Sequence, residues 1–262
     1  MYHHLFKRSK GIKILIAALL IHFSSHAQTF ERVEVEGRGV WVYLPQNYKQ
    51  NKSYKTIYML DGQNLFDPKA AYAGTWQVSE NLAQLNEDFI VIGIENGGGN
   101  RIDEYTPDPN EKYGGGKADE HLDFILNKII PWSITEYSCT KKSKQRAIIG
   151  SSLGGLFALY AGLEHPEVFS KIGALSTSFW FNSDIFDRMG TADLSKKQRF
   201  VFITGAEEGS EMTQPVVSAV SELISNEIPY KNVYSEIVAE GKHQEWFWAQ
   251  ELNKTIKFLY KL

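Results

Sequence analysis

Short, nearly continuous apolar runs recur along the chain, separated by longer stretches with helical spacing. The runs are "TIYML" (56–60), "FIVIGIE" (89–95), "RAIIG" (146–150), "KIGAL" (171–175), "FVFITG" (200–205) and "VYSEIV" (233–238). Strands apolar at successive positions have both faces covered, as in a parallel sheet between layers of helices. Helical spacing marks "WQVSENLAQL" (76–85), a long amphipathic stretch over 119–137 with a bend expected near Pro131, and a last helix over 245–260. "FERVEVEGRGVWVYLP" alternates instead, turns at Glu36-Gly37, and predicts an opening antiparallel hairpin. The expected fold is α/β, with a mostly parallel central sheet and helices on both faces.

The first 27 residues follow another pattern. Lys7, Arg8, Lys10 and Lys13 precede the unbroken run "ILIAALLI" (14–21), and Ser25 and Ala27 stand at the −3 and −1 positions before Gln28. Basic start, apolar centre and small-residue cut predict a cleaved secretion signal over 1–27, an exported (periplasmic or secreted) product, and one catalytic domain over 28–262. The apolar run is shorter than the roughly 20 residues of a spanning helix, so no stable membrane insertion is expected after cleavage. The leader holds four of the 28 basic residues and none of the 31 acidic ones, leaving 24 against 31, a formal charge of −7. That balance argues against a nucleic-acid partner. The single cysteine, Cys139, cannot form an internal disulfide and reads as structural.

An open α/β sheet gathers its site at the carboxyl ends of its strands. After "RAII" comes "GSSLGG", which fits G-x-S-x-G with Gly150, Ser152 and Gly154. The pattern describes a strand-to-helix turn so sharp that the serine side chain stands clear of the sheet. Ser152 is the candidate nucleophile and Ser151 the spacer. A serine hydroxyl needs a base. Three histidines follow the leader: His121 inside the long helix, His165 at a helix end, and His243 between the last strand and the last helix. With the chain order serine, acid, histidine, only His243 leaves room for a strand-end acid. "FVFITGAEEGSE" offers Glu207, Glu208 and Glu211, and position alone does not choose between Glu207 and Glu208. Oxyanion donors are expected from the N–H of Leu153 and from "DGQN", through the N–H of Gln63.

Other clusters fail as motifs. "GGGKA" lacks the glycine and the Ser/Thr of a phosphate-binding loop, so it and "NGGGN" read as flexible loops at the site rim. No cluster has metal-ligand spacing, and neither metal nor cofactor is expected. The aromatics of "SFWF" read equally as core or as pocket lining, with Trp180 the candidate that follows a strand end.

"YMLDGQNLFD", "ENGGGNRIDEYTPD", "IIGSSLGGLFALYAGLEHPEVFSKIGALSTSFWF", "TGAEEGSE" and "GKHQEWFW" together resemble the Putative esterase family. That family includes esterase D, feruloyl esterases, enterochelin (siderophore) esterases and mycolyltransferases. The resemblance covers nearly all of the chain after the leader, in order, and is nearest to the siderophore-esterase-like members. It implies the α/β-hydrolase fold and a catalytic set of Ser152, Glu208 and His243, Glu208 by its spacing from Gly205 and His243 by "G-x-H" with Trp248 downstream. It also marks Asp61 and Arg101 as substrate-binding candidates; Arg101 and Glu104 match an "R-x-x-E-Y" loop and are expected to pair with each other. Many members carry histidine where Leu60 stands. The function implied is a serine carboxylesterase acting on a small-molecule or carbohydrate ester: siderophore, feruloyl or acetyl-sugar. The rivals are an acyltransferase using the same serine and a non-catalytic binding protein on the same fold.

Overall fold

A computed structural model describes residues 29–262; the expected leader lies outside the described residues. Its centre is an eight-stranded sheet. β1 (Thr29–Val35) and β2 (Arg38–Leu44) form the opening antiparallel hairpin. β3 (Lys55–Leu60), α1 (Val78–Ala83), β4 (Phe89–Ile94) and α2 (Arg101–Tyr105) follow. A small ribbon of β5 (Pro109–Asn110) and β6 (Gly114–Gly115) leads to α3 (Ala118–Phe124) and α4 (Ile130–Tyr137). The rest alternates: β7 (Arg146–Ser151), α5 (Leu153–Glu164), β8 (Lys171–Leu175), α6 (Ile185–Thr191), β9 (Arg199–Gly205), α7 (Ser210–Ser225), β10 (Val233–Val238) and α8 (Glu245–Tyr260).

The long stretch expected to bend near Pro131 is divided by a π-turn over Ile125–Ile129. Pro131 falls in the first turn of α4, where its missing N–H costs least. No helix among the described residues is long and apolar enough to cross a membrane.

The spatial order is β1-β2-β4-β3-β7-β8-β9-β10, and every neighbouring pair from β4 to β10 is parallel. From β3 the chain first goes outward to β4 and later returns to lay β7 on the other side. The order therefore reverses between β3 and β7, where the loops leaving adjacent strands part and open a crevice.

Each parallel strand sends alternate side chains to opposite layers. Tyr58, Leu60 and Ile148 join the layer with α5, whereas Ile57, Met59, Ala147 and Ile149 join the layer with α1 and α8. Each large apolar side chain so buried contributes about 1.5–3 kcal/mol. α5 is apolar all round, with every residue from Leu153 to Leu163 buried, because it is wedged between the sheet and neighbouring helices. That burial fixes the start of α5, and with it the turn that precedes it.

Candidate active site

β7 ends at Ser151 and α5 begins at Leu153, so Ser152 alone makes the turn. It does so at φ 58° and ψ −127°. A non-glycine residue held there costs about 1–3 kcal/mol and persists only when its surroundings fix it. Here the Ser152 N–H donates to Leu175 O at 3.0 Å, and its own carbonyl accepts from Leu156 and Ser178 N–H, each at 3.1 Å. The glycine at 150 follows from the same sharpness: a Cβ there would lie 2.3 Å from Gly154 O. Ser151 is buried in the strand end, while the Ser152 side chain is partly open.

A second close approach joins the strand ends that carry Glu208 and His243. A Cβ on Gly205 would fall 2.1 Å from the Gly241 backbone, and Glu207 N–H donates to Gly241 O at 3.1 Å. The loop after β9 is thereby seated against the loop after β10. Glu208 Oε2 accepts from His243 Nδ1 at 2.7 Å, and its side chain is only 1% exposed. Glu208 Oε1 accepts twice more, from Gly205 N–H at 2.8 Å and Ser176 Oγ at 2.6 Å. Ser176 in turn accepts from Trp248 Nε1 at 2.8 Å, and the Trp248 ring stands edge-on to His243. A proton held on Nδ1 leaves Nε2 of His243 as the acceptor, as a base requires. Glu207 points outward and pairs with Lys242 at 3.1 Å.

Ser152 and His243 line one cleft of about 880 Å³, together with Gln63, Asp61 and Arg101. In the resting protein Ser152 Oγ lies 3.2 Å from Ser178 Oγ rather than in a hydrogen bond with His243. Gln63 sits in the short turn Gly62–Asn64 that follows β3, and Leu153 opens α5. Neither backbone N–H is used by another group among the described residues. The positive end of the 12-residue α5 therefore faces the same place as the turn after β3.

Asp61 and Arg101 meet as a bidentate pair, Nε to Oδ1 and Nη2 to Oδ2, both at 2.8 Å. Asn96 Nδ2 also reaches Asp61 Oδ1, at 2.6 Å. The expected Arg101–Glu104 pair does not form: Glu104 is held by Arg38 and by Gly97 N–H, because α2 turns the two side chains to different neighbours. Trp180 is 49% exposed, packs edge-on against Tyr113, and lies outside the residues lining the cleft; its neighbours Phe179 and Phe181 are core. Of the two glycine loops, Gly98 of "NGGGN" borders the cleft, whereas Gly114–Gly115 build β6 away from it.

Sequence reasoning did not assign Ser176, Ser178, Asn96 or Glu245. The first two stood at a strand end in "STSFWF", where polar residues at successive positions were the available signal. Glu245 is buried in the cleft wall, takes Asn64 Nδ2 at 3.3 Å, and burial pushes its carboxyl above the ordinary range. His121 is packed among Tyr105, Phe124 and Phe157, and His165 pairs with Glu167 on the surface. Burial pushes the Cys139 thiol up to about 11, leaving it unreactive near neutral pH.

A family model described as Putative esterase matches residues 36–259. The uncharacterised protein YbbA of Bacillus subtilis is 32% identical over 178 residues, covering 65% of this chain and 68% of that one. A siderophore triacetylfusarinine C esterase of Aspergillus fumigatus is 39% identical over 71 residues, 27% of this chain and 23% of that protein. Among solved structures, an IroE-like serine hydrolase from Shewanella oneidensis superposes with a TM-score of 0.70 at 24% identity, covering 90% of this chain and 80% of that one. The fold is that of the α/β-hydrolases.

Proposed function

The chain belongs to the Putative esterase family, hydrolases of carboxylic esters, and from that premise we propose an exported serine carboxylesterase that works through an acyl-enzyme on Ser152. The observation that carries the reading is the Glu208–His243 hydrogen bond opening onto the cleft that also holds Ser152 at its strained turn. When an ester enters, the Ser152 hydroxyl turns from Ser178 toward His243 Nε2, gives up its proton there and attacks the carbonyl carbon. The oxyanion takes the N–H groups of Gln63 and Leu153; one such donor contributes about 3–4 kcal/mol to the transition state. Glu208 keeps His243 in the right tautomer and stabilises the imidazolium. His243 then gives the proton to the departing alcohol. Water, deprotonated by the same nitrogen, attacks the acyl carbonyl, and Ser152 Oγ leaves, taking that proton back from His243 as the acid is released.

The proposed substrates are siderophore, feruloyl or acetyl-sugar esters, with siderophore esters first because a relative bears that activity in its name. Residues 1–27 are the proposed secretion signal and 28–262 the catalytic domain. The test uses the mature protein, a fluorophosphonate probe and an aryl acetate. Wild type should label at Ser152 and turn over. Ser152→Ala should lose labelling and several orders of magnitude of rate, while Ser151→Ala stays active. Wild-type turnover by Ser152→Ala would sink the assignment. Product analysis with and without an acceptor alcohol separates hydrolysis from acyl transfer.

A further inference from the structure

The end of the sheet away from Ser152 carries a different chemistry. A hollow of about 420 Å³ opens where β8 and β9 begin, beside the last turn of α8. Eight of its lining residues are Lys or Arg and none is Asp or Glu. Lys171 and Arg199 form its floor, being 8% and 7% exposed, and Lys144, Lys231 and Lys261 border it. Lys171 and Arg199 are direct register partners on neighbouring strands, so their side chains leave the sheet on the same face. Like charges placed opposite each other in this way weaken a sheet.

The surroundings only partly offset this. Arg199 donates Nε to Phe258 O and Nη1 to Asn232 Oδ1, both at 3.0 Å, which leaves Nη2. Two of the outer lysines have carboxylates, Lys55 with Glu87 at 2.8 Å and Lys196 with Glu227 at 2.6 Å. Lys171 has none among the described residues: its Nζ lies 5.2 Å from the centre of the Tyr260 ring. Burial, then Arg199, Lys261 and Lys55, push its ammonium down to about 8.

We propose that this hollow is a phosphate-binding site, in which Lys171 and Arg199 take a dianionic phosphate, free or as the phosphomonoester headgroup of a lipid. Two buried cations facing one space fit a dianion better than a single carboxylate, and a guanidinium edge matches phosphate oxygens. At about 30 Å³ per water volume, the hollow exceeds a bare phosphate and admits part of an attached organic group. The chain as a whole is acidic, with a formal charge of −3, so the patch is a local device rather than one end of a broad polyanion surface.

The test uses the purified protein in phosphate-free buffer. Inorganic phosphate is titrated calorimetrically, and phosphatidylcholine vesicles with and without phosphatidic acid are used in co-sedimentation. Wild type should bind one of these probes saturably; soluble phosphate alone assigns the free ion, and phosphatidic acid alone assigns the lipid. Lys171→Met and Arg199→Gln should each weaken that binding by about tenfold or more, the value of one charge-assisted hydrogen bond. Lys171→Met should also melt higher than wild type without phosphate and gain nothing from it, with hydrolysis of an aryl acetate unchanged. Failure of wild type to bind either probe, or binding by both variants at wild-type affinity, overturns the proposal.

Discussion

Trp248 meets His243 edge-on, with ring centroids 5.1 Å apart and planes at 87°, while its indole nitrogen reaches Ser176. Ser176 donates its hydroxyl hydrogen bond to Glu208 Oε1, and Glu208 Oε2 accepts from Nδ1 of His243. The four residues close a ring of contacts around the His243 imidazole. His243 itself is 41% exposed at its side chain, so its orientation is set from the inner side only.

The first prediction separates two neighbouring glutamates. Glu208→Gln should lower kcat on an aryl acetate by about 10²- to 10⁴-fold, since it removes the partner that fixes the tautomer. Glu207→Gln removes only a surface pair with Lys242 and should leave kcat within about twofold. Equal losses in the two variants would remove the basis for choosing Glu208 as the acid, and a larger loss at Glu207 would reverse the choice.

The second concerns Ser176 and Trp248 as positioning residues. Ser176→Ala removes one of the two donors to Glu208 Oε1 and leaves the buried Trp248 N–H unpaired. A carboxylate with fewer donors is more basic and supports a more basic imidazole. We expect kcat to fall about tenfold with KM little changed, and the acid limb of the kcat/KM profile to move to higher pH. Trp248→Phe keeps the edge-on contact and should be milder. A Ser176→Ala profile that overlays wild type would refute the positioning role.

The same ring shows what was legible in the sequence. The fold, and the placement of Ser152 at a strand-to-helix turn, could be read because a strand, a sharp turn and a helix leave apolar runs and glycines in fixed order. Arg101–Asp61 could not, since an ion pair between residues 40 apart leaves no periodic mark. The spacing of "R-x-x-E-Y" instead suggested the local pair with Glu104, which Arg38 pre-empts from β2. Trp180 looked like Phe179 and Phe181 in sequence; only tertiary packing divides three adjacent aromatics into two buried and one exposed.

The third prediction concerns charge in the cleft. Asp61 is neutralised by Arg101 and Glu95 by Arg32, whereas among the described residues Glu245 has only the Asn64 amide as a side-chain partner. Glu245→Gln should therefore raise kcat/KM for an aryl hemisuccinate relative to an aryl acetate by about fivefold, the effect of one charge at cleft distances in a partly wet medium. Burial raises the Glu245 carboxyl above its ordinary range, so wild type should discriminate more strongly against the anionic ester as pH rises through that pKa. The variant should lack this extra discrimination. Kinetics on both esters across pH decide it.

The fourth is a stability effect of His121. Burial among aromatic rings lowers its pKa from 6.5 to about 4. The unfolded chain therefore binds a proton that the folded one refuses between those values, and stability is lost as pH falls from 6.5 toward about 4. The full loss is about 3 kcal/mol. His121→Phe should show a shallower fall over that window in urea denaturation at several pH values. Parallel curves for the two proteins would exclude His121 as the source.

The partner of Glu208 lies 35 positions further along the chain, and α8 supplies both Trp248 and much of one covering layer of the sheet. At about 5–20 residues per second, a ribosome needs seconds to travel from the acid to the base. The proposed nucleophile, Ser152, and the proposed base, His243, thus come from separate stretches of the chain, and the base is made last.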